Sequence, residues 1–252
     1  MQNYRILSFN IRINVAVDGL NAWEFRKEKV VQFIKTGDFD IIGFQEVAPD
    51  MYQELIDQLK AYHYVGFARS KGSEAVPIFV KKDKYRILES NTFWLSDTPD
   101  IESRIEGSFF PRIATYVVLE DQNKQRIAFF NTHLDYASDE ICKKQSMILS
   151  HFIDDVTNKY QSHFVLAGDF NVLPDSDTIG FLTNKYRIIY EKKDRLGLTF
   201  HNYTCDTIGL PIDYFFFSST LKDELFRIVH HKDKNFYLSD HYPIVAEFSI
   251  KK

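Results

Sequence analysis

The sequence contains few of the residues that characterise disulfide-stabilised, zinc-binding or low-complexity proteins. Its 252 residues include two cysteines, Cys142 and Cys205, too few for a disulfide framework and without the CxxC pair of a cysteine zinc site. Ten glycines and seven prolines exclude long flexible linkers. No apolar run approaches the roughly 18 residues of a membrane helix, and the first residues lack the pattern of a signal peptide. We therefore expect a cytoplasmic protein without a membrane span.

Charge of either sign is not in large excess. Lysine plus arginine number 31 and aspartate plus glutamate 35, so the formal net charge is −4. Such a molecule has no overall positive field to attract nucleic acid or an anionic membrane, and an anionic substrate must be captured by local groups. Hydrophobic residues make up 44% of the chain, enough for a sizeable core. We expect one domain over residues 1–252, acting as a monomer.

Short runs rich in β-branched and aromatic residues recur along the whole chain and predict strands. The predicted strands are 4–11, 39–44, 64–67, 76–80, 85–94, 114–119, 126–132, 163–167, 212–217, 225–230 and 244–250. Helical periodicity is clearest over 138–160, where Ser138 is a typical N-cap, and weaker over 23–35, 50–60 and 176–182. Strands from both halves of the chain with few helices favour an α/β fold in which two sheets pack face to face and helices lie outside.

Polar side chains stand where several predicted strands end, a common way to assemble an active site on a rigid sheet. These residues are Asn10, Glu46, His133, Asp169, Asn171, Asp213, Asp240 and His241. Their carboxylate and amide oxygens suit Mg²⁺ or Mn²⁺, whereas zinc prefers more histidine or cysteine. Arg112 adds a planar cation that can hold a phosphate oxygen by two hydrogen bonds. This chemistry indicates metal-assisted hydrolysis of a phosphoester.

Seven strings of the chain resemble, in order, those of the endonuclease/exonuclease/phosphatase superfamily, which includes deoxyribonuclease I and the poly(A) deadenylases. They are LSFNIR, DIIGFQEV, PRIATYVVL, NTHLD, GDFNVLPDS, IDYFFFS and LSDHYPIVAEF. The resemblance spans about residues 6–248. It implies a four-layer α/β sandwich of two mixed β-sheets with helices outside, and a phosphoesterase site dependent on Mg²⁺ or Mn²⁺ at one edge.

The resemblance also implies roles for individual residues. Glu46 and Asn10 would bind the metal, and Asp169 and Asn171 would complete the metal region or orient the nucleophile. His241, paired with Asp213, would act on the attacking water or the scissile phosphate. His133 and Arg112 would stabilise phosphoryl oxygens, and Asp240, in the same SDH string as His241, is counted among the metal ligands.

Departures from the family pattern narrow the choice of branch. No arginine precedes Asp213, which follows Leu210-Pro211-Ile212, and the signatures of inositol polyphosphate 5-phosphatases and apurinic-site nucleases are missing. The string FWLSDTP is similar to that of small bacterial members related to the deadenylase branch. In this pattern Arg112 is the only basic residue of the matched set.

Three functions remain open from the sequence. The leading prediction is hydrolysis of a phosphodiester, either a short or single-stranded nucleic acid end or a small nucleotide-like molecule. The first alternative is a phosphomonoesterase for a soluble phosphorylated metabolite or headgroup. The second is a catalytically inactive binding module with the same fold, which would have lost residues such as Glu46 or His241; none is lost.

Four further residues have open interpretations. Thr199 lies near the metal region by resemblance. Glu74 is either at the cleft entrance or in a solvated loop, and Trp94 is either a packed aromatic residue or part of the cleft. Cys142 lies beside Lys143 and Lys144 on a predicted helix and is either a thiol of lowered pKa or a bystander.

Overall fold

The computed structural model describes residues 3–189, 197–230 and 236–251. The strands in chain order are β1 Tyr4–Asn10, β2 Ile41–Gln45, β3 Tyr62–Val65, β4 Ile78–Lys81, β5 Tyr85–Trp94, β6 Ile113–Asp121, β7 Arg126–His133, β8 His163–Asp169, β9 Arg187–Ile189, β10 Asp213–Phe217, β11 Leu221–Ile228 and β12 Ile244–Ile250. The helices are α1 Trp23–Gly37, α2 Pro49–Gln58, α3 Asp139–Tyr160 and α4 Asp177–Lys185, with a 3₁₀ helix at Ala16–Asn21. No helix in the described ranges is long and apolar enough to cross a membrane.

The strands form two six-stranded mixed sheets. The first sheet has the order β11-β12-β1-β2-β4-β3 and the second has the order β5-β6-β7-β8-β10-β9. Each sheet contains one parallel pair, β1 with β2 and β7 with β8, flanked by antiparallel strands. Because the carboxyl ends of parallel strands lie at the same edge of a sheet, each parallel pair delivers its last residues to one place.

Three apolar layers hold the sheets and helices together. Residues such as Ile6, Phe129 and Phe215 pack between the two sheets. A second layer joins the second sheet to α3 and α4, and a third joins the first sheet to α1 and α2. The order of layers is therefore helix, sheet, sheet, helix, and the predicted four-layer α/β sandwich is confirmed.

Strand β10 illustrates why the sequence forms this architecture. Phe215 and Phe217 lie in the layer between the sheets, while Phe216 lies in the layer under α3 and α4. Successive side chains of a strand point to opposite faces, so a strand covered on both faces must be apolar at every position. The uninterrupted phenylalanines of this strand are a consequence of its central place in the sandwich.

Most predicted elements are present, with shifted ends. Ser138 caps α3 as predicted, because its Oγ accepts a hydrogen bond from the backbone N–H of Ile141. The predicted strands 64–67 and 225–230 are found instead as β3 and β11, which begin earlier in the chain. Strand β9, only three residues long, was not predicted, because a run this short shows no alternation.

Candidate active site

The two parallel strand pairs bring the candidate residues to one edge of the sandwich. Asn10 ends β1 and lies beside Gln45, the last residue of β2, which Glu46 follows directly. In the second sheet His133 ends β7 and pairs with Asp169 at the end of β8. Asp213 then lies opposite Asp169 on the antiparallel strand β10.

Asn10 connects the two sheets at this edge. Its Nδ2 donates to Glu46 Oε1 and to Asp169 Oδ2, both at 3.0 Å. Its Oδ1 accepts from the backbone N–H of Arg12 at 3.0 Å. The side-chain NH₂ group of Asn10 therefore orients two carboxylates, while its Oδ1 accepts a hydrogen bond from the backbone.

The end of β8 and the turn after it require special backbone conformations. Gly168 has φ of +149°, and a Cβ there would lie 2.1 Å from the carbonyl oxygen of Thr132, so a side chain is excluded. Asn171 follows in the left-handed region with φ of +54°. Its N–H donates to Asp169 Oδ1 at 2.9 Å and its Nδ2 to the carbonyl of Leu134 at 3.0 Å. Asp169 is thereby held in one orientation.

His241 and Asp213 form a buried pair. Nδ1 of His241 lies 3.0 Å from Asp213 Oδ2, and both side chains are nearly inaccessible to solvent. Thr199 is fully buried next to this pair. Its Oγ1 accepts from the backbone N–H groups of Ile212 and Asp213, and so it fixes the start of β10.

Asp169 lies between the two histidines. Its Oδ2 is 3.7 Å from Nε2 of His133 and 3.7 Å from Nε2 of His241. Burial, followed by the charge of Asp213, raises the pKa of Asp169 to about 7. Burial opposes the charge of His241, but Asp213 and Asp169 outweigh it and raise its pKa to about 10. Burial, with the nearby Arg112, holds the pKa of His133 well below 6.5. One imidazole is thus charged and the other neutral near pH 7.

Arg112 lies on the wall of a cavity that Asp169 and the two histidines also line. Its Nη1 donates to Glu74 Oε1 at 3.2 Å, and its Nε lies 3.7 Å from Oδ2 of the buried Asp135. Glu74 is 7% exposed and lines the cavity, so the solvated-loop interpretation is wrong. Asp135, the last residue of the NTHLD string, was not among the predicted site residues although it positions Arg112.

Glu46, Asp169, Asn171, Asp240 and the two histidines line a cavity of about 450 Å³. Burial, with a contribution from Glu46, raises the pKa of both Asp240 and Glu74. Several carboxylates that raise one another's proton affinity are stabilised by a divalent cation, and their oxygens are the ligands that Mg²⁺ and Mn²⁺ prefer. The donor set fits such an ion, which Glu46, Asp240, Asp169 and the Oδ1 of Asn171 would hold.

A different grouping is the tightest of the described residues by distance alone. Ligand atoms of Asp169, Asp213 and His241 lie within 4.8 Å of one another and could also hold a metal. Two of these side chains already face each other, since His241 Nδ1 and Asp213 Oδ2 are 3.0 Å apart. The geometry therefore favours a histidine–carboxylate pair there.

Two arginines of the cavity were missed from the sequence. Arg12 lines it, with Nε 3.0 Å from Asp18 Oδ2 and 3.7 Å from Asp240 Oδ2. Arg69, from the segment between β3 and β4, lines the wall beside Arg112. The cavity therefore contains two basic residues besides Arg112, the only one of the matched set. Arg12 stands in the LSFNIR string and could have been noticed, whereas no local pattern marks Arg69.

Arg26 on α1 is fully buried and holds two segments of the site together. Its guanidinium donates to the backbone carbonyls of Asn21, Ile11, Arg12 and Leu238. Ile11 and Arg12 follow Asn10, and Leu238 precedes Ser239, whose Oγ donates to the carbonyl of Asn10 at 2.7 Å. This side chain thus fixes the loop after β1 against the loop that carries Asp240 and His241.

Two remaining candidates are settled by their surroundings. Trp94 packs against Phe67 and donates from Nε1 to the carbonyl of Arg69 at 2.9 Å, so it supports the cavity wall as a packed aromatic residue. Burial raises the pKa of Cys142 to about 12, and its Sγ donates to the carbonyl of Asp135. The bystander interpretation of this thiol is favoured, and its neighbouring lysines do not activate it.

Comparison with known proteins agrees with this fold. A crystal structure of an endonuclease/exonuclease/phosphatase from Bacteroides vulgatus superposes with a TM-score of 0.91 at 30% identity, covering 100% of both chains. A mannosyl-6-phosphatase from Bacteroides thetaiotaomicron gives a TM-score of 0.90 at 26% identity, over 98% of this chain and 100% of the other.

Among sequence relatives is a probable Ccr4 3'-5'-exoribonuclease subunit of the CCR4-Not complex from Vairimorpha ceranae. It is 26% identical over 284 residues, covering 91% of this chain but only 59% of the relative. The sequence profile of the Endonuclease/Exonuclease/phosphatase family matches residues 7–241. With the two mixed sheets and the residues gathered at their edge, this match shows that the chain belongs to the Endonuclease/Exonuclease/phosphatase family.

Proposed function

We propose that the chain is a phosphoesterase that hydrolyses its substrate with water and depends on Mg²⁺ or Mn²⁺. The observation that carries the proposal is the position of Asp169. This buried carboxylate lies 3.7 Å from two imidazoles and is joined through Asn10 to Glu46. A proton acceptor, two groups that can contact phosphoryl oxygens and a set of cation ligands thus meet in one cavity.

Each side chain has a role that its protonation state supports. The charged imidazole of His241 donates from Nε2 to a phosphoryl oxygen, and Asp213 holds this ring in place. His133 and Arg112 contact the oxygens on the opposite side. Asp169, with its pKa raised to about 7, takes the proton from the attacking water. Glu46 and Asp240 would hold a divalent cation, which would supply charge neutralisation of the phosphate.

The bond changes balance in this scheme. The water oxygen forms a new bond to phosphorus, and its proton passes to Asp169 Oδ2. The ester P–O bond breaks, and the leaving oxygen takes a proton from solvent. The products are an alcohol and a phosphate or phosphate monoester, according to whether the substrate was a monoester or a diester.

Two substrate classes are supported by different observations. Exposed aromatic rings of Phe200 and Tyr136 line the cavity, and such rings can stack on a base, which supports a nucleic acid end or a small nucleotide-like diester. The additional guanidinium of Arg69 and the similarity to a mannosyl-6-phosphatase support a phosphomonoester. We further propose that the protein acts as a cytoplasmic monomer, on the basis of its composition.

The proposal is tested by a screen of phosphodiesters and phosphomonoesters with Mg²⁺, with Mn²⁺ and with excess chelator. We expect hydrolysis that requires the ion and disappears in Asp169→Asn, while Asp175→Asn, an exposed aspartate nearby, retains it. Equal activity in chelator, or an active Asp169→Asn, would contradict the proposal. Absence of turnover on every ester would instead favour the binding-module interpretation.

A further inference from the structure

Arg69 is fixed before any ligand binds. Its Nε donates to Ser73 Oγ at 2.9 Å, and its guanidinium carbon lies 4.2 Å from the centre of the Phe110 ring. Its backbone N–H and carbonyl are also engaged, by Glu74 O and by Trp94 Nε1. Because little conformational freedom remains to be lost on binding, such a group is well suited to recognition.

Three buried nitrogen atoms on this wall form no hydrogen bond within the described residues, although each lies 3.2–3.7 Å from a carboxylate oxygen. They are Nη1 of Arg69, Nε of Arg112 and Nδ1 of His133. The residues that carry them are 9%, 3% and 5% exposed, and all three line the cavity. Buried polar atoms almost always form a hydrogen bond. Three nitrogens without one on a single wall therefore indicate a ligand with several acceptor atoms.

Two of these nitrogens, together with Nη1 of Arg112, lie around one carboxylate oxygen. Glu74 Oε1 is 3.2 Å from Nη1 of Arg69, 3.2 Å from Nη1 of Arg112 and 3.7 Å from Nδ1 of His133. Glu74 therefore holds the two guanidiniums next to each other.

The number of oxygens distinguishes two kinds of phosphoester. A phosphodiester has two terminal oxygens and one negative charge, whereas a phosphomonoester has three terminal oxygens and close to two charges at neutral pH. If one oxygen is directed to the cation ligands, a diester leaves a single terminal oxygen for Arg69, Arg112 and His133. A monoester leaves two terminal oxygens for these residues. Its larger negative charge is matched by the guanidinium of Arg69 in addition to that of Arg112.

We propose that Arg69 is a specificity-determining residue, which binds a terminal oxygen of a phosphomonoester and makes the cavity select monoesters over diesters. The inference rests on the proposed phosphoesterase function and narrows its substrate class. It assigns to this chain a phosphoryl subsite on the arginine wall that includes a residue outside the sequence-predicted set.

The kinetic test compares p-nitrophenyl phosphate with bis(p-nitrophenyl) phosphate in the wild type, Arg69→Gln and Arg69→Lys. In Arg69→Gln we expect kcat/KM for the monoester to fall by at least ~10-fold, mostly through KM, and that for the diester to fall much less. Arg69→Lys keeps the charge but not the planar guanidinium. Its kcat/KM for the monoester should lie between the values of the wild type and Arg69→Gln. Arg86→Gln, at an exposed arginine on β5, is the matched control.

A second measurement does not depend on turnover. Binding of inorganic phosphate to the metal-free protein in chelator is followed by calorimetry, and we expect Arg69→Gln to weaken it at least ~10-fold while Arg86→Gln leaves it unchanged. Equal losses on both esters, or phosphate binding unaffected by Arg69→Gln, would overturn the inference. If the wild type hydrolyses neither ester, the proposed function fails, and the phosphate titration still decides whether Arg69 forms the subsite.

Discussion

Arg26 Nη1 donates a hydrogen bond to the backbone carbonyl of Leu238 at 2.6 Å and thereby ties helix α1 to the segment that carries Asp240 and His241. The same nitrogen donates to the carbonyl of Ile11 at 2.8 Å. A single buried side chain therefore sets the distance between the loop after β1 and the loop before β12, although it does not itself line the cavity.

Replacing Arg26 by lysine should lower both activity and stability. A lysine ammonium cannot reach carbonyls on three segments at once, and each buried carbonyl left without a donor costs about 1–3 kcal/mol. We expect a melting temperature several degrees lower and, well below it, a kcat reduced by at least ~10-fold because the catalytic groups are misplaced. Arg227→Lys, at an exposed arginine of β11, is the control. Unchanged kcat in Arg26→Lys would show that the tie has no role in positioning.

Glu46→Gln should weaken cation binding and lower turnover, with little loss of folding stability. The carboxylate accepts from Asn10 Nδ2 and from the N–H of Ile13, and glutamine can retain one of these bonds. We expect turnover to fall by orders of magnitude, because a neutral amide is a poorer ligand for a hard cation. Titration of the protein with Mn²⁺ should show weaker binding, while the melting temperature in chelator stays close to that of the wild type. Glu28→Gln, at an exposed position of α1, should behave as the wild type. Tight Mn²⁺ binding by Glu46→Gln would place the ion elsewhere.

His241 and Asp213 should behave as one unit in a double-mutant cycle. Because Asp213 holds the ring through the 3.0 Å contact, removing either partner removes the same function. His241→Ala and Asp213→Asn should each lose about 10²–10⁴-fold in kcat, and the double variant should lose little more. Losses that multiply in the double variant would mean that the two residues act separately.

The stability of the metal-free protein should depend on pH through His241. The folded pKa of His241 is raised to about 10, above the unfolded value of about 6.5. The stabilisation is fully present below about 6.5 and is lost as the pH rises through about 10. In chelator, the melting temperature of the wild type should therefore fall more steeply between neutral and alkaline pH than that of His241→Gln. Parallel curves for the two proteins would contradict the charged state of this imidazole.

The two cysteines should differ in reactivity. Burial raises the pKa of the Cys142 thiol to about 12, whereas Cys205 is exposed. A thiol reagent such as DTNB should label Cys205 in the folded protein and Cys142 only after denaturation, since the thiolate is the reactive form. Cys205→Ser should abolish the fast reaction. Rapid labelling of Cys142 in that variant would show that its environment opens.

Most of the fold and most of the candidate site are local properties of the sequence. Apolar runs that end in Asn10, His133 or Asp169 predict both a strand and the polar side chain at its end. A strand inside a sandwich needs an apolar residue at each buried position and a polar residue where it reaches the cavity. Short or weakly patterned elements such as β9 carry no such signal. That residues 1–252 form one domain stays a prediction.

The amino-acid sequence by itself determined the two-sheet architecture and the family, since these follow from periodicity and from residues in fixed local strings. It also predicted the candidate carboxylates and histidines. Only the tertiary structure decided which groups share an environment. It placed Glu74 and Arg69 beside Arg112, and it buried Arg26 between two loops. It also set opposite protonation states for His133 and His241. These outcomes depend on desolvation and on charges brought together from distant parts of the chain, and no local pattern of residues encodes those two quantities.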